Sequence, residues 1–74
     1  MVTNKMTEKS VCKVLEFGRE IKVDADHWNA EELTRFAKAA EDGNTVLNVI
    51  NYQSLSESSL LSILNNREEY VMFL

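Results

Sequence analysis

Three residues of types that could do acid–base or metal chemistry stand close together: Asp24, Asp26 and His27. Histidine titrates near neutral pH and is a common metal ligand, and carboxylates beside it would complete an acid–base pair or part of a metal site. The simpler interpretation is a polar loop between a strand and a helix, because no second cluster supplies further ligands or a nucleophile. The loop follows the carboxyl end of a predicted strand, where open α/β sheets bind ligands, so a small enzyme or ligand binder is one hypothesis.

The other conspicuous residues favour structural roles. Cys12 is the only cysteine, which excludes an intramolecular disulfide and a zinc site built from cysteines, and its apolar neighbours predict an inert, buried thiol. Trp28 is of the type that dominates binding hot spots, but its place just before a helix cap accounts for it by packing. Gly18 and Gly43 are isolated, so there is no glycine-rich phosphate loop. We therefore predict no catalytic residue, no metal site and no cofactor.

The composition predicts one small globular domain. Of 74 residues, 45% are apolar and 27% are charged, which is too apolar for a disordered chain. The net charge of −4 comes from scattered acidic residues, which disfavours a nucleic-acid partner because such surfaces carry a basic stripe. No stretch resembles a signal peptide or a membrane span, so we expect a cytoplasmic protein without a membrane partner. Residues 1–9 are polar and unpatterned, which predicts a flexible N-terminus followed by a single α/β domain at residues 10–74.

The stretch 44–52 is the strongest strand candidate, and the other elements must be placed around it. It is rich in β-branched residues, and side chains along a strand alternate between two faces. Both faces are apolar, with Leu47 and Val49 on one and Val46, Ile50 and Tyr52 on the other. A strand that is apolar on both faces is typical of the middle of a parallel sheet.

Capping signals predict a helix on each side of this strand. Asn29 is a good N-cap with Glu32 as its capping-box partner, which predicts a helix over residues 29–42. Leu55 and Ser56 repeat the same entry before a second helix, whose apolar residues form a wide arc. The remaining face of the second helix is serine and asparagine with almost no charge. Such a face is easier to desolvate, so this helix is a candidate for contact with a second surface.

The run 11–17 has two interpretations. As a strand, it would form a hairpin with the alternating strand at residues 20–25 through Gly18, and Phe17 would lie on the shared apolar face. As a helix beginning at Thr7, it would show one apolar stripe and end at Gly18 as a left-handed cap. We favour the hairpin.

The unit strand, capped helix, strand therefore occurs twice and shares the central strand, with residues 68–74 as the last strand. A helix between two strands of one sheet implies parallel pairing with right-handed crossovers. We predict an α/β fold: a small two-layer ββαβαβ domain with a mainly parallel sheet and two helices on one face.

The opposite face of this sheet would then have no cover. We expect this face to carry Val46, Ile50 and Tyr52 with Tyr70, Met72 and Leu74. If the side chains alternate the other way, it would carry the residues between these instead. An apolar patch of this size usually marks an interface, most simply with a second copy of the chain as a homodimer. We place that interface on five residues: Val46, Ile50, Tyr52, Tyr70 and Met72.

A short repeating pattern supports an interaction role. It is carried by Leu47-Asn48-Val49, Leu55-Ser56, Leu60, Ile63 and Val71-Met72-Phe73. The pattern resembles the short β/α units of leucine-rich-repeat-like bacterial solenoids. The resemblance implies a binding role rather than catalysis, and since such units normally stack in threes or more, two units imply a partner.

Two further hypotheses accompany the enzyme or ligand-binder hypothesis given first. The leading one is a small acidic protein-interaction or regulatory protein, such as an inhibitor, an immunity or antitoxin-like protein, or an accessory subunit. The alternative is a structural protein that self-assembles end to end through its last strand. We expect the protein not to be an enzyme.

Overall fold

Three parallel strands, each preceded by a helix, make up the fold. The structure, a computed structural model, describes residues 5–74. Helices α1, α2 and α3 span Glu8–Glu16, Ala30–Asp42 and Glu57–Leu64, and strands β1, β2 and β3 span Ile21–Asp24, Leu47–Ile50 and Val71–Phe73. Short 3₁₀ turns at Tyr52–Ser54 and Glu68–Tyr70 precede α3 and β3. The strands lie in the order β1-β2-β3, and both neighbouring pairs are parallel. The predicted α/β class with a mainly parallel sheet is confirmed.

The run 11–17 is helical, so the predicted first strand and its hairpin are wrong. The described elements follow the order αβαβαβ, not ββαβαβ. Val11 and Leu15, one helical turn apart, are fully buried. Phe17, which the hairpin would have placed on the apolar face, is 85% exposed. The burial therefore follows the period of a helix, because the fully buried residues of this run are four positions apart.

Thr7 and Gly18 bound helix α1. The Thr7 Oγ1 accepts a hydrogen bond from the Ser10 N–H at 3.1 Å, which caps the first turn. Gly18 has a φ of +88°, in the left-handed region that favours glycine after a helix. Of the segment 1–9, Thr7 is thus the cap and the next two residues begin the helix, while residues 1–4 lie outside the described residues.

Helix α2 begins at the predicted capping box. The Asn29 Oδ1 accepts from the Glu32 N–H, and the Glu32 Oε1 accepts from the Asn29 N–H, both at 2.9 Å. The helix is also joined to α1, because the Arg35 guanidinium donates to the Glu8 carboxylate through Nε at 2.5 Å and through Nη2 at 3.0 Å. These hydrogen bonds from Arg35 hold the pKa of Glu8 below its usual range. The pair is exposed, so its contribution to stability is small.

All three helices cover the same face of the sheet. Helix α2 contacts both α1 and α3, so it lies in the middle of the helix layer. Alternate strand residues point into the core that the two layers share. The largest fully buried side chains come from both layers: Phe36, Leu15, Ile21, Leu33, Leu47, Ile63, Val11, Val23 and Val49. The two predicted helices are therefore joined on that face by α1, which replaces the predicted first strand.

The C-terminal ends of α1 and α2 meet at a glycine. A Cβ added to Gly43 would lie 1.8 Å from the Leu15 carbonyl oxygen, far inside van der Waals contact. Gly43 has a φ of −88°, which any residue adopts, so close approach alone accounts for the glycine. The two helices thus pack backbone to backbone at this point.

Helix α3 has the predicted cap but buries little of its apolar arc. The Ser56 Oγ accepts from the Ser59 N–H at 3.2 Å, and Asn65 follows the helix with positive φ. Ile63 is the fully buried residue of this helix, whereas Leu61 is 62% exposed. The weakly charged outer face of α3 therefore remains at the surface.

Candidate interaction surface

The face of the sheet opposite the helices, called the open face below, is built by all three strands. It carries the strand residues that alternate with the buried ones: Lys22, Asp24, Asn48, Ile50 and Met72. In the strand register, Asn48 is the partner of both Lys22 and Met72, so these three form one row across the sheet. The row runs from a charged residue on β1 to an apolar residue on β3. The open face is therefore polar on one side and apolar on the other.

Four residues form the apolar side and are called the open-face patch: Val46, Ile50, Met72 and Leu74. Met72 is 52% exposed and Leu74 is 51% exposed, while Val46 and Ile50 are half-buried. The Leu74 N–H donates to the Val49 carbonyl oxygen at 2.9 Å, which continues the ladder one residue past β3. Because this bond keeps the backbone in the sheet, the Leu74 side chain lies on the same face as that of Met72. Large apolar side chains that remain this exposed next to one another are typical of binding surfaces.

Asn48 separates the open-face patch from the charged side of the open face. It is only 9% exposed although no helix covers this face. Its Nδ2 donates to the Glu20 Oε1 at 2.8 Å, so the buried amide group has a partner without water. Polar and charged side chains thus begin at the middle strand and continue to β1.

The five residues predicted for the interface do not all share the open face. Ile50 and Met72 do, Val46 precedes β2 two residues before Asn48, and the pairing of Asn48 with Met72 selects the expected set of residues over the alternate set. Tyr52 and Tyr70 lie in the two 3₁₀ turns and pack against the core. The Tyr52 ring lies 5.5 Å from the ring of Phe73.

The backbone explains why the tyrosines leave the predicted face. Asn51 has a φ of +57°, so the extended conformation ends at Ile50 and the alternation of side chains ends with it. Tyr52 therefore cannot be assigned to a face by counting residues from the strand. Leu74, which lies in phase with Met72, is the surface residue that the five predicted positions omit.

The Asp24 carboxylate is hydrogen-bonded to its own turn and to Asn51. Its Oδ1 accepts hydrogen bonds from the Asp26 N–H at 2.8 Å and from the Asn51 Nδ2 at 3.0 Å. These two bonds, with a smaller contribution from nearby His27, hold the pKa of Asp24 below its usual range. Asp26 and His27 are exposed, and the His27 and Trp28 rings are nearly perpendicular with centroids 4.9 Å apart. The structure thus brings the three predicted residues into one exposed turn, where Asp24 binds backbone and amide donors.

The lowered pKa of Asp24 predicts a measurable acid dependence. A carboxylate whose pKa is lower in the folded state stabilises the fold above its ordinary value of 3.8, and this contribution is lost as pH falls through the folded-state value. Replacing Asn51 by glycine keeps the left-handed backbone and removes the Nδ2 donor. We expect Asn51→Gly to lose less of its free energy of unfolding than the wild type on acidification, measured by urea unfolding between about pH 6 and about pH 2.

A matched control uses another asparagine with positive φ. Asn44 has a φ of +52°, so Asn44→Gly makes the same backbone change at a site distant in sequence from Asp24. This variant should keep the wild-type acid dependence. Equal acid dependence in Asn51→Gly and the wild type would show that the amide of Asn51 does not set the pKa of Asp24.

Cys12 and Trp28 are both at least partly buried. The Cys12 side chain packs beside the core, and burial raises the pKa of its thiol, which disfavours the reactive thiolate. Trp28 is 6% exposed, and its ring meets the Phe36 ring at 4.9 Å in an edge-to-face arrangement. Its Nε1 is buried without a hydrogen-bond partner among the described residues. Trp28 therefore packs in the core and is not part of the exposed surface.

Residues 5–74 show no enclosed site. They form no pocket, and no group of three histidine, cysteine or acidic residues among them is placed to hold a metal ion. Within the same part of the chain, each helix is too short or too polar to cross a bilayer. The open-face patch is thus the strongest candidate for a functional surface that the described residues offer.

Comparison with known proteins adds no relative. No protein family, no curated protein and no solved structure matches this chain. The resemblance to leucine-rich-repeat-like units accordingly stays a prediction.

Proposed function

We propose that this chain is a small cytoplasmic protein-interaction or regulatory protein that binds a protein partner through the open-face patch and acts as a homodimer. An inhibitor, an immunity or antitoxin-like protein, and an accessory subunit all fit this description. The observation that supports the proposal is the half exposure of Met72 and Leu74 on a sheet face that no helix covers. The charged strand residues of that face, Lys22 and Asp24, lie on β1, so an apolar partner surface on the patch would meet no strand charge.

The size of the open-face patch is consistent with a contact that matters for stability and binding. Burial of apolar surface contributes about 25 cal/mol per Å², so a few hundred Å² would contribute on the order of several kcal/mol. This is comparable with the whole free energy of folding of a chain this short. Burying the patch against a partner would therefore make a large favourable contribution to the free energy of binding.

The test compares a patch variant with a control elsewhere on the surface. We expect Met72→Lys to abolish capture of the partner by the tagged protein from the cells that naturally make it, scored by mass spectrometry. Phe17→Lys is the control, because Phe17 is 85% exposed and lies at the end of α1, outside the open face. Circular dichroism would check that both variants are folded. A partner that is captured equally by the wild type and by Met72→Lys would contradict the proposal.

End-to-end self-assembly is the weaker alternative. It would require the outer edge of β1 to pair with the outer edge of β3 in the next copy. Lys22 and Asp24 give the β1 strand charged side chains, which discourage edge pairing. A closed dimer that uses the same edge twice avoids this edge.

A further inference from the structure

The outer edge of β3 presents backbone groups that the sheet does not use. In a parallel ladder, the N–H and C=O of one residue point to one neighbouring strand, and those of the next residue point away. The Leu74 N–H donates to the Val49 oxygen, and Met72 is the partner of Asn48, so the groups of Leu74 and Met72 point toward β2. The groups of Val71 and Phe73 therefore point outward.

The outer edge of β1 differs from that of β3 in two ways. The Asp24 carbonyl oxygen, which points away from β2, already accepts hydrogen bonds from the His27 N–H at 3.0 Å and the Trp28 N–H at 3.1 Å. Strand β1 also carries the charged side chains Lys22 and Asp24, which are typical of protected edges. Strand β3, with its continuation at Leu74, is entirely apolar. An apolar strand edge without charge is a site at which another strand can add.

Helix α3 extends this uncharged surface on the other side of the sheet. Because α1 contacts β1 and α2 lies between α1 and α3, helix α3 stands at the β3 end of the helix layer. After Glu57 at its first position, the exposed residues of α3 carry no charge: Ser58, Leu61 and Ser62. Leu61, at 62% exposure, is among the most exposed large apolar residues of the chain. The edge strand and the part of α3 that follows Glu57 thus form one uncharged flank.

We propose that a second copy of this chain pairs with the outer edge of β3 in antiparallel orientation, with the two-fold axis at Met72. This inference rests on the proposed function, because it names the partner and the geometry at the β3 side of the same surface. The result is a continuous six-stranded sheet in which α3 of one copy stands beside α3 of the other. Such an interface is closed, since each copy uses the same edge.

The register follows from the outward groups. Residues that exchange two hydrogen bonds in an antiparallel pair must both point toward the partner. With the axis at Met72, Val71 of each copy meets Phe73 of the other, so every outward group of the strand is used. If the axis were at Val71, Phe73 would lie opposite Glu69, which precedes the strand. If the axis were at Phe73, no residue of β3 would lie opposite Val71. The axis at Met72 also sets Met72 of one copy directly against Met72 of the other on the open face.

Charge and size are compatible with a modest dimer. Glu68 and Glu69 precede β3 and fall beyond the paired residues in this register, so like charges of the two copies stay on opposite sides of the axis. The overall dimensions of 29 × 27 × 19 Å limit one flank to a few hundred Å². This is below the roughly 800 Å² per partner of a standard interface. We therefore expect dissociation on dilution rather than a permanent dimer.

Amide hydrogen exchange on the native chain tests the register without any substitution. The Val71 and Phe73 N–H groups point away from β2 and have no partner in the sheet of a monomer, but they are hydrogen-bonded in the dimer, whereas the Met72 N–H is bonded to β2 in both. We expect exchange at Val71 and Phe73 to slow about tenfold or more between dilute and concentrated samples, with little change at Met72. Sedimentation over the same concentrations should show a rise from the 8.5 kDa chain toward twice that mass.

Cysteine cross-linking gives an independent measurement with a built-in control. Two residues opposite each other at a non-hydrogen-bonded antiparallel position have Cα atoms about 4.5 Å apart, within disulfide range. In a Cys12→Ser background, Met72→Cys should give a covalent dimer with oxidised glutathione. Leu74→Cys should not, because residue 74 lies opposite residue 70 of the other copy.

Each outcome decides between the proposals. A dimer that is protected at Val71 and Phe73 and cross-links at position 72 but not at 74 supports the inference. A dimer without these signatures overturns the register. A chain that stays monomeric at every concentration overturns the inference and the homodimer part of the proposed function, yet partner binding through the open-face patch survives if the wild type still captures a partner that Met72→Lys loses. If the dimer is intact but the wild type and Met72→Lys capture the partner equally, the partner-binding role is overturned instead.

Discussion

Replacing Phe36 by alanine is expected to lower the free energy of unfolding by about 3–5 kcal/mol. Phe36 is the largest of the fully buried side chains, and it packs against Trp28 in the middle helix of the layer. Truncation removes its buried apolar area and leaves a cavity that neighbouring helices cannot fill without moving. A chain of 74 residues has a total stability of roughly 4–11 kcal/mol, so the variant would lose between about a quarter and all of it. Urea unfolding followed by circular dichroism measures the difference.

The matched control is the same substitution at the other extreme of burial. Phe17 is 85% exposed, so Phe17→Ala should change the free energy of unfolding by less than about 0.5 kcal/mol. A similar loss in both variants would mean that the stability does not depend on the core that the structure places around Phe36.

Gly43→Ala is expected to cost on the order of 3 kcal/mol or more. The new Cβ would lie 1.8 Å from the Leu15 oxygen, 2.9 Å from the Leu15 carbonyl carbon and 3.0 Å from the Glu16 carbonyl carbon. All three atoms are backbone, so no side-chain rotation relieves the clash, and helix α1 must move away from α2. The expected result is a fall in the urea midpoint, together with weaker protection of α1 amides in hydrogen exchange.

Gly18→Ala separates this clash from backbone strain. Gly18 has a φ of +88°, and a Cβ there would meet only the Gly43 oxygen at 3.2 Å. The expected cost is that of holding alanine in a left-handed conformation, about 1–2 kcal/mol. If Gly43→Ala cost no more than Gly18→Ala, the close approach of the two helix ends would be refuted.

Local signals accounted for α2, α3 and the order of the last two strands. The Asn29–Glu32 capping box and the Ser56 cap satisfy backbone groups within one turn, so their effect is present in the sequence itself. The same is true of the helix end after α3, where asparagine adopts positive φ. A parallel arrangement then follows from strands that alternate with helices.

Helix α1 was missed because its local pattern satisfied both alternatives. A run of apolar residues that ends at Gly18 is compatible with a hairpin turn and with a left-handed helix cap, and the capping oxygen of Thr7 was the signal that favoured the helix. The tertiary contact that decides the question lies elsewhere: Arg35 of α2 binds Glu8 of α1, and Gly43 permits the close approach of the two helices. These partners are more than twenty residues away in sequence.

The sequence predicted which face of the sheet carries the candidate surface, but not which residues bound that surface. Alternation placed Val46, Ile50 and Met72 on one face, and the register agrees. Alternation holds only while the backbone is extended, and positive φ at Asn51 ends it before Tyr52. Asparagine adopts this conformation more readily than most residues, so Asn51 was a local signal that the count from the strand should stop there.

The order of the strands in the sheet also determines how the chain can fold. Each strand pairs with the next strand in sequence, and each helix packs against the next helix, so the main contacts of residues 5–74 join neighbouring strand–helix units. The entropy lost in closing each loop is that of a single strand–helix unit. The chain has no proline, so peptide-bond isomerisation imposes no slow step on this sequential docking. Folding can therefore proceed one unit at a time, with each docked helix and strand providing the surface for the next.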